Sequence, residues 1–320
     1  MKVIVTGGAG FIGSHLVDAL LKRGDEVIVF DNLRTGTLEN LREAIQNRKL
    51  KLVKGDLKQP AETQLLPDDA SFVFHLAANP EVRVGQVDPS VHFNENLLAT
   101  FNLLEKMRRS RVSTIVFAST STVYGEASTL PTPEDYGPML PISSYGASKL
   151  GCEALISSYA YTHNMCGLIL RLGNCVGRRS GHGVIHDFIQ KLQINPKELE
   201  ILGDGSQNKS YVHIDDCIAA ILVTSEQCVA RQNRMDVYNL SSPDQVSVKR
   251  IAEIVAEEMQ LPNAKLRFTG GVDGGRGWFG DVKLMHLSVD KLLKLGWQPK
   301  LNSEQAIRTA ARELVADSRK

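Results

Sequence analysis

Short apolar runs rich in β-branched residues alternate, in the first half of the chain, with longer segments whose apolar positions recur at helical spacing. The short runs predict strands at residues 2–6, 26–30, 50–54, 71–75 and 113–118. The helical pattern is clearest at residues 12–23 and 97–109. Strands and helices that alternate at this spacing predict an α/β fold with a doubly wound parallel sheet and right-handed crossovers.

The second half of the chain indicates the end of that sheet and a smaller C-terminal α/β region. Strands are predicted at residues 167–171 and near 236–240, and the second of these is expected to return to the sheet. An amphipathic pattern at residues 302–316 predicts a helix that packs the smaller region. We therefore assign residues 1–174 and about 235–241 to the sheet domain, and about 175–234 and 242–320 to the smaller lobe.

Composition and charge exclude several classes of function. The 320 residues include 37 Lys and Arg against 36 Asp and Glu, so no global field recruits nucleic acid or an anionic membrane. No apolar run approaches the ~20 residues that a membrane helix needs. Five scattered cysteines indicate reduced thiols in a cytoplasmic protein, and neither they nor His182 and His186 complete a metal site. The cysteines are Cys152, Cys166, Cys175, Cys217 and Cys228.

Three glycines separate the first predicted strand from the first predicted helix. Gly7, Gly10 and Gly13 permit a tight turn, close approach of the backbone to a pyrophosphate, and close packing of the helix. The helix start beyond them offers free N–H groups and a partial positive charge to phosphates. The strand and helix on either side of the glycines are the context that makes this fingerprint specific for a dinucleotide.

An acidic residue ends the second predicted strand. Asp31 can accept hydrogen bonds from both ribose hydroxyls and would repel a 2′-phosphate, which favours NAD over NADP. Arg34 is the feature that points towards NADP, although it can equally be a solvated side chain. Asp56, at the end of the third strand, can accept from the adenine amino group, or it can be an ordinary turn aspartate.

Tyr145 and Lys149 are four residues apart in a segment that reads SYGASKLG. On a helix this spacing places both side chains on one face, one turn apart. A Lys ammonium beside a phenol favours the phenolate, so we expect the pKa of Tyr145 to lie below its usual value near 10. Such a phenol can remove a proton from a sugar or steroid hydroxyl near neutral pH.

These features occur in a fixed order with others: GxxGxxG from Gly7, Asp31-Asn32, Asp56-Leu57, HLAA from His75, STSTVYG from Ser119 and YGASK from Tyr145. Together they resemble the extended short-chain dehydrogenase/reductase family, in particular its UDP-glucose (UDP-galactose) 4-epimerases. The resemblance covers nearly the whole chain and implies a Rossmann domain that binds NAD, followed by a substrate-binding lobe. The implied reaction is 4-epimerisation of a UDP-hexose by transient oxidation at C4.

The resemblance also implies site residues. Tyr145 is the implied base, Lys149 holds the ribose, and Thr120 falls where the family keeps a catalytic Ser or Thr. The cofactor residues implied by the motifs are Gly7, Gly10, Phe11, Ile12, Gly13, Asp31, Asn32, Thr35, Gly36, Asp56, Leu57, Leu76, Ala77, Ala78, Asn96, Tyr145 and Lys149. The implied substrate residues are Thr120, Asn174, Val184, Lys209, Tyr211 and Arg276, of which Arg276 is displaced by two positions from the family's arginine.

The residues after Thr120 separate subfamilies. Dehydratases carry Asp-Glu there, and decarboxylating relatives keep a glutamate two residues before the tyrosine of the VYG motif. This chain has Ser121 and Thr122, which supply no carboxylate, so 4-epimerisation is favoured over elimination and decarboxylation.

Other functions stay open. UDP-N-acetylhexosamine and UDP-glucuronate 4-epimerases share every catalytic residue, and a nucleotide-sugar reductase would use the same fold. A non-catalytic NAD-binding protein is disfavoured because Thr120, Tyr145 and Lys149 are all present. The family usually dimerises through helices that begin near Val91 and Tyr145, which implies a homodimer.

Overall fold

The computed structural model describes residues 1–230 and 234–318, with residues 228–230 described by their backbone alone, so the Cys228 thiol lies outside the described side chains. Its strands are β1 (Lys2–Thr6), β2 (Glu26–Asp31), β3 (Leu50–Lys54), β4 (Phe72–His75), β5 (Thr114–Thr120), β6 (Cys166–Leu172), β7 (Asn174–Val176), β8 (Glu198–Ile201), β9 (Asn208–Lys209), β10 (Tyr211–His213), β11 (Met235–Leu240), β12 (Val246–Ser247), β13 (Lys265–Phe268) and β14 (Leu284–Met285).

Its α-helices are α1 (Phe11–Arg23), α2 (Pro60–Thr63), α3 (Val84–Val87), α4 (Ser90–His92), α5 (Ala99–Arg108), α6 (Ser144–Thr162), α7 (Val184–Ile194), α8 (Ile214–Ala230), α9 (Val248–Glu258), α10 (Asp290–Leu293) and α11 (Ser303–Asp317). A π-helical turn, Phe93–Leu98, precedes α5, so the long helix predicted at residues 97–109 begins in a different helical geometry. The predicted C-terminal helix is confirmed as α11.

The central sheet has seven strands in the order β11-β6-β5-β4-β1-β2-β3. β1 is parallel to both β2 and β4, and β2 with β3 and β4 with β5 also form parallel pairs. The chain therefore runs outward from β1 to β3, returns to β4 on the other side of β1, and continues outward to β11. This order confirms the predicted doubly wound α/β sheet, and the switch between β1 and β4 is where such sheets bind ligands.

The strands of this sheet are apolar because helices cover them. Ile4 in β1, Val73 in β4 and Ile115 in β5 are at most 1% exposed and belong to one hydrophobic cluster with Leu103 of α5 and Ile156 of α6. Burial of whole strands is typical of parallel sheets and explains why the strands read as continuous apolar runs rather than as alternating ones.

The chain forms two compact units whose limits differ from the predicted domains most at residues 124–142 and in the C-terminal half of α8. The first unit comprises Met1–Val123, Ser143–Arg171 and Ile221–Tyr238, and the second comprises Tyr124–Ile142, Leu172–Ala220 and Asn239–Lys320. Residues 124–142 belong to the second unit because Thr132 exchanges backbone hydrogen bonds with His286 and Ser288. The C-terminal half of α8 belongs to the first unit, where Glu226 forms an ion pair with Arg23.

The second unit is built from short strands and three packed helices. β7 pairs with β10, β8 pairs with β13, and β9 lies between β12 and β14. Helices α7, α9 and α11 share a hydrophobic cluster that includes Phe188, Ile251 and Ile307. Asn302 and Gln305 form a capping box at the start of α11, which fixes where that helix begins.

Two properties bear on the excluded functions. Among the described residues, helices long and apolar enough to cross a bilayer are absent. The same residues contain no group of three or more His, Cys, Asp or Glu side chains arranged to hold a metal ion.

Candidate active site

The glycine loop lies at the switch point of the sheet. Gly7 has a φ of +70°, and a Cβ added there would lie 2.7 Å from the backbone nitrogen of Ala77. A Cβ on Gly13 would lie 2.1 Å from the carbonyl oxygen of Gly7. The loop is therefore packed against both the loop after β4 and the first turn of α1, and side chains are excluded from it by contact with backbone atoms.

The start of α1 is open to an anion. Gly10 is the N-cap residue and provides no side-chain hydrogen bond to the first turn, which also contains no acidic residue. The N–H groups of the first turn have no acceptor within the helix, and they carry the positive end of its dipole. Phe11 and Ile12, at the helix start, are half-buried. These features fit the diphosphate of a dinucleotide.

Asp31 ends β2 beside the glycine loop and is 7% exposed. Its carboxylate accepts from the backbone N–H of Ala9 at 2.9 Å and of Leu33 at 2.8 Å. Two fixed N–H donors hold the carboxylate in one orientation, and its remaining lone pairs can accept from ribose hydroxyls. The Asn32 amide donates to Asp56 at 3.3 Å, so the structure brings three of the predicted cofactor residues together.

Other predicted cofactor residues lie in the loops that follow β2, β3 and β4. Thr35 is exposed beside buried Gly36, and Leu76, Ala77 and Ala78 are half-buried after β4. The side chain of Leu57 is 4% exposed and belongs to the core cluster, so the predicted contact with the cofactor would fall to its backbone.

Asn96 also has protein partners. It lies on the π-helical turn, is 2% exposed, accepts from the backbone of Asn79 at 2.8 Å and donates to Ser148 Oγ at 3.0 Å. Its side chain connects the loop after β4 to α6. The predicted contact of Asn96 with the cofactor stays a prediction, and these hydrogen bonds fix where its side chain lies.

Thr120, Tyr145 and Lys149 lie together where β5 ends against the first turns of α6. Ser143 caps α6 by accepting from the backbone of Gly146 at 3.1 Å. Thr120 is the last residue of β5, and its hydroxyl lies near enough to the Tyr145 phenol to act on the pKa of that phenol. Lys149 is 3% exposed, and its ammonium donates to the carbonyl oxygen of Ala118 at 2.7 Å.

Electrostatics at Tyr145 differ from the prediction. Burial raises the pKa of Tyr145 to about 12, whereas the neighbouring Thr120 hydroxyl acts to lower it. Burial also lowers the pKa of Lys149 to about 8. The predicted lowering by Lys149 is wrong for this structure because the ammonium points to Ala118 and lies 4.5 Å above the centre of the Phe117 ring.

A buried ion pair next to these residues was not predicted. Glu153 follows Lys149 by one helical turn and accepts from Arg171 Nη2 at 2.7 Å and from Ser119 Oγ at 2.5 Å. The side chains of Glu153 and Arg171 are 6% and 5% exposed. Glu153 could have been predicted from its i, i+4 spacing to Lys149. Arg171 could not, because it lies in β6 and no sequence spacing connects it to this site.

His92 is a second unpredicted neighbour of Tyr145. It is fully buried, its ring lies 5.6 Å from the tyrosine ring in an edge-on arrangement, and burial lowers the pKa of its imidazole. A neutral imidazole packed against the phenol adds to the burial of Tyr145 without adding charge.

Two of the predicted substrate residues face each other across a strand pair in the second unit. Asn174 in β7 is in register with Tyr211 in β10, and its amide donates to the carbonyl oxygen of Ser210 at 3.2 Å. Tyr211 is 7% exposed, and burial raises the pKa of its phenol. Val184 begins α7, away from this strand pair in sequence.

The two predicted cations of the second unit converge on Asp281. Lys209 forms an ion pair with the Asp281 carboxylate at 2.7 Å, and Arg276 donates to the Asp281 carbonyl oxygen at 2.8 Å. Arg276 also pairs with Glu126 at 2.6 Å and with Asp273 at 3.2 Å. Asp281 was not predicted, and its position explains how Arg276 reaches Lys209 despite the two-residue displacement.

Comparisons with known proteins identify the family of this chain. A model of the NAD dependent epimerase/dehydratase family matches residues 3–241. A protein of Methanocaldococcus jannaschii described as a putative UDP-glucose 4-epimerase is 33% identical over 96% of this chain and 96% of its own length. UDP-glucuronic acid decarboxylase 4 of Arabidopsis thaliana is 31% identical over 96% of this chain and 67% of its own.

A solved structure gives the same result for the fold. The crystal structure of a UDP-galactose 4-epimerase is 43% identical, with a TM-score of 0.89 over 99% of each chain. Sequence, fold and glycine loop therefore agree. The chain is an enzyme of the NAD-dependent epimerase/dehydratase family, and its cofactor is NAD.

Proposed function

We propose that this enzyme is a UDP-hexose 4-epimerase that interconverts UDP-glucose and UDP-galactose. The observation that carries the proposal is the grouping of Thr120, Tyr145 and buried Lys149 where β5 ends against α6, with Ser121 and Thr122 where a carboxylate would be needed for elimination. The names of similar proteins support a nucleotide-sugar substrate.

The three residues divide the acid–base work. NAD, when bound by the glycine loop, would accept hydride from C4 of the sugar and return it. Tyr145 exchanges the proton of the 4-hydroxyl, and Thr120 hydrogen-bonds the same oxygen. As a phenolate, Tyr145 takes the 4-hydroxyl proton while C4 is oxidised, and as a phenol it returns that proton to the 4-keto oxygen when C4 is reduced. Burial favours the phenol, whereas the neighbouring Thr120 hydroxyl favours the phenolate that the first step needs.

The substrate residues have a corresponding place in the proposal. Lys209 and Arg276 supply positive charge for the diphosphate, and Asn174 and Tyr211 supply polar groups for the sugar–diphosphate region. Both cations are held by carboxylates in this structure, so the diphosphate must compete with Asp281 and Glu126 for them. Val184 is proposed to meet the uracil through its backbone.

A direct assay tests the proposal. Purified enzyme is incubated with UDP-galactose, UDP-N-acetylgalactosamine or UDP-glucuronate without added NADH, and the sugar products are separated. Conversion of UDP-galactose is expected, while conversion of UDP-glucuronate alone favours the second candidate, to which the decarboxylase relative points. A requirement for stoichiometric NADH would contradict epimerisation and indicate a reductase.

Tyr145→Phe is the matched variant, because it removes only the phenolic hydroxyl. We expect it to abolish turnover while NAD, measured after denaturation of the protein, stays bound at the wild-type stoichiometry. Unchanged turnover would remove Tyr145 as the acid–base residue.

We also propose a homodimer formed through the π-helical turn with α5 and through α6. Its support is that Phe93, Phe101 and Tyr161 on these elements are 56%, 41% and 61% exposed. Exposed aromatic side chains of this size are typical of interfaces. Light scattering of the wild type and of Phe101→Glu tests the proposal, and a monomeric wild type contradicts it.

A further inference from the structure

Arg34 lies three residues after Asp31, the proposed ribose-binding carboxylate, and its positive charge bears on the choice between NAD and NADP. The loop is fixed there, because the Asp31 carboxylate accepts from Leu33 and the Asn32 side chain accepts from the backbone of Arg34 at 3.0 Å. A nearby arginine is the usual device for accepting the 2′-phosphate of NADP. The sequence therefore contains both the acidic determinant for NAD and a cation suited to NADP.

The structure shows where the guanidinium of Arg34 is directed. Its Nη1 forms an ion pair with Glu95 Oε1, on the π-helical turn. The other Glu95 oxygen accepts from the Asn79 amide at 3.1 Å, and the Glu95 side chain is only 15% exposed. Glu95 is thus a fixed acceptor, whereas the Arg34 side chain is 56% exposed and is held by this ion pair.

The second cation of this cluster is engaged in the same way. Lys58 Nζ lies 3.6 Å from Asp56 and 3.8 Å from Glu95. Counting Asp31, which ends β2 in the same region, three carboxylates therefore outnumber two cations here. A 2′-phosphate carries up to about two negative charges at neutral pH and would enter a site that already has an excess of negative charge.

We infer that Glu95 is a specificity-determining residue for the cofactor: by holding Arg34, it withholds from a 2′-phosphate the guanidinium that would otherwise bind it. The inference rests on the proposed position of the adenosine ribose beside Asp31. Glu95, which lies outside the glycine loop and outside β2, would thus share with Asp31 the selection of NAD over NADP.

The test is equilibrium competition between labelled NAD⁺ and unlabelled NADP⁺, read as protein-bound label after rapid gel filtration of the full-length enzyme. Glu95→Gln keeps the size of the side chain and an acceptor for Asn79 but removes the charge that holds Arg34. We expect it to raise the NADP⁺ to NAD⁺ affinity ratio at least about ten-fold, since a charge-assisted hydrogen bond to phosphate becomes possible.

Three further variants make the result specific. Arg34→Ala alone is expected to leave the ratio unchanged, because Arg34 is already withheld, and the double variant Glu95→Gln/Arg34→Ala is expected to return to the wild-type ratio. Glu39→Gln, which breaks a 3.3 Å pair with Arg42 in which both side chains are about three-quarters exposed, is the control for a lost surface charge.

Two outcomes overturn the inference. One is an unchanged ratio in Glu95→Gln, and the other is a raised ratio that persists in the double variant. Cofactor competition needs no sugar substrate. Failure of the proposed epimerase reaction therefore shows in the product assay alone, and failure of this inference shows in the ratio alone.

Discussion

Replacing Glu153 by Gln should destabilise the first unit more than any single change at its surface. The carboxylate accepts from Arg171 Nε at 3.1 and 3.2 Å, from Arg171 Nη2 at 2.7 Å and from Ser119 Oγ at 2.5 Å. Both charged side chains are about one-twentieth exposed. Gln can accept from Ser119, but it leaves the guanidinium of Arg171 buried without a counter-charge.

The magnitude follows from this burial. Removing one partner of a buried ion pair costs about 3–5 kcal/mol, because the other charge stays desolvated. In a domain of roughly 150–250 residues each kcal/mol lowers the thermal midpoint by about 2–4 °C, so the expected fall is about 6–20 °C. The control Glu39→Gln breaks an exposed pair and should lower the midpoint by no more than about 2 °C.

The assay is thermal unfolding followed by circular dichroism at saturating NAD⁺. A second variant separates the lost charge from lost packing, because Glu153→Gln/Arg171→Met removes both charges. It should unfold at a higher temperature than Glu153→Gln alone, since it leaves no buried unpaired charge. The reasoning is refuted if Glu153→Gln behaves like Glu39→Gln, or if the double variant is less stable than the single one.

Three other predictions follow from the structure. Gly13→Ala should abolish NAD binding, measured by nucleotide release, because its Cβ would lie 2.1 Å from a carbonyl oxygen of the glycine loop. Lys149→Met should lower turnover, measured by product separation, by at least about ten-fold. The reason is that the methionine side chain cannot donate a hydrogen bond as the buried ammonium does. Hydrogen bonds from Arg108 and Tyr159 lower the pKa of Glu105 to about 2. The ionised Glu105 therefore adds roughly 1 kcal/mol to the free energy of unfolding. This contribution is fully present above about pH 4.5 and is lost as the pH falls towards 2. Tyr159→Phe should reduce that acid dependence in urea unfolding, and a change of equal size in the exposed Tyr161→Phe would contradict the assignment.

Local patterns predicted the elements that local interactions determine. The strands of the sheet and the glycine loop depend on runs of apolar residues and on positions where a Cβ does not fit, and both are visible in the sequence. Residues 124–142 carry no such periodicity. Their place in the second unit depends on backbone hydrogen bonds from Thr132 to His286 and Ser288, more than 150 residues away in the chain.

The pKa of a site residue is harder to predict from the sequence than its position in the fold. The one-turn spacing of Tyr145 and Lys149 was read as an ammonium beside a phenol, but the direction of the ammonium is set by Ala118 at the end of another element. Burial of the phenol, to which His92 contributes, then raises rather than lowers the pKa of Tyr145. Pairwise spacing along one helix cannot report what the neighbouring strand and loop do to a charge.

The buried polar contacts of α6 explain how Tyr145 of that helix is held next to Thr120 of β5. Ser148 accepts from Asn96, and Lys149 donates to the end of β5. Glu153 accepts from Ser119 in β5 and from Arg171 in β6. These contacts recur within about one and a half turns on the buried face. A slide of α6 by one residue, about 1.5 Å, would break all of them together. The distance between Tyr145 and its strand partner is therefore set by the register of the whole helix, and substitutions at these anchoring residues should lower turnover without touching the sugar.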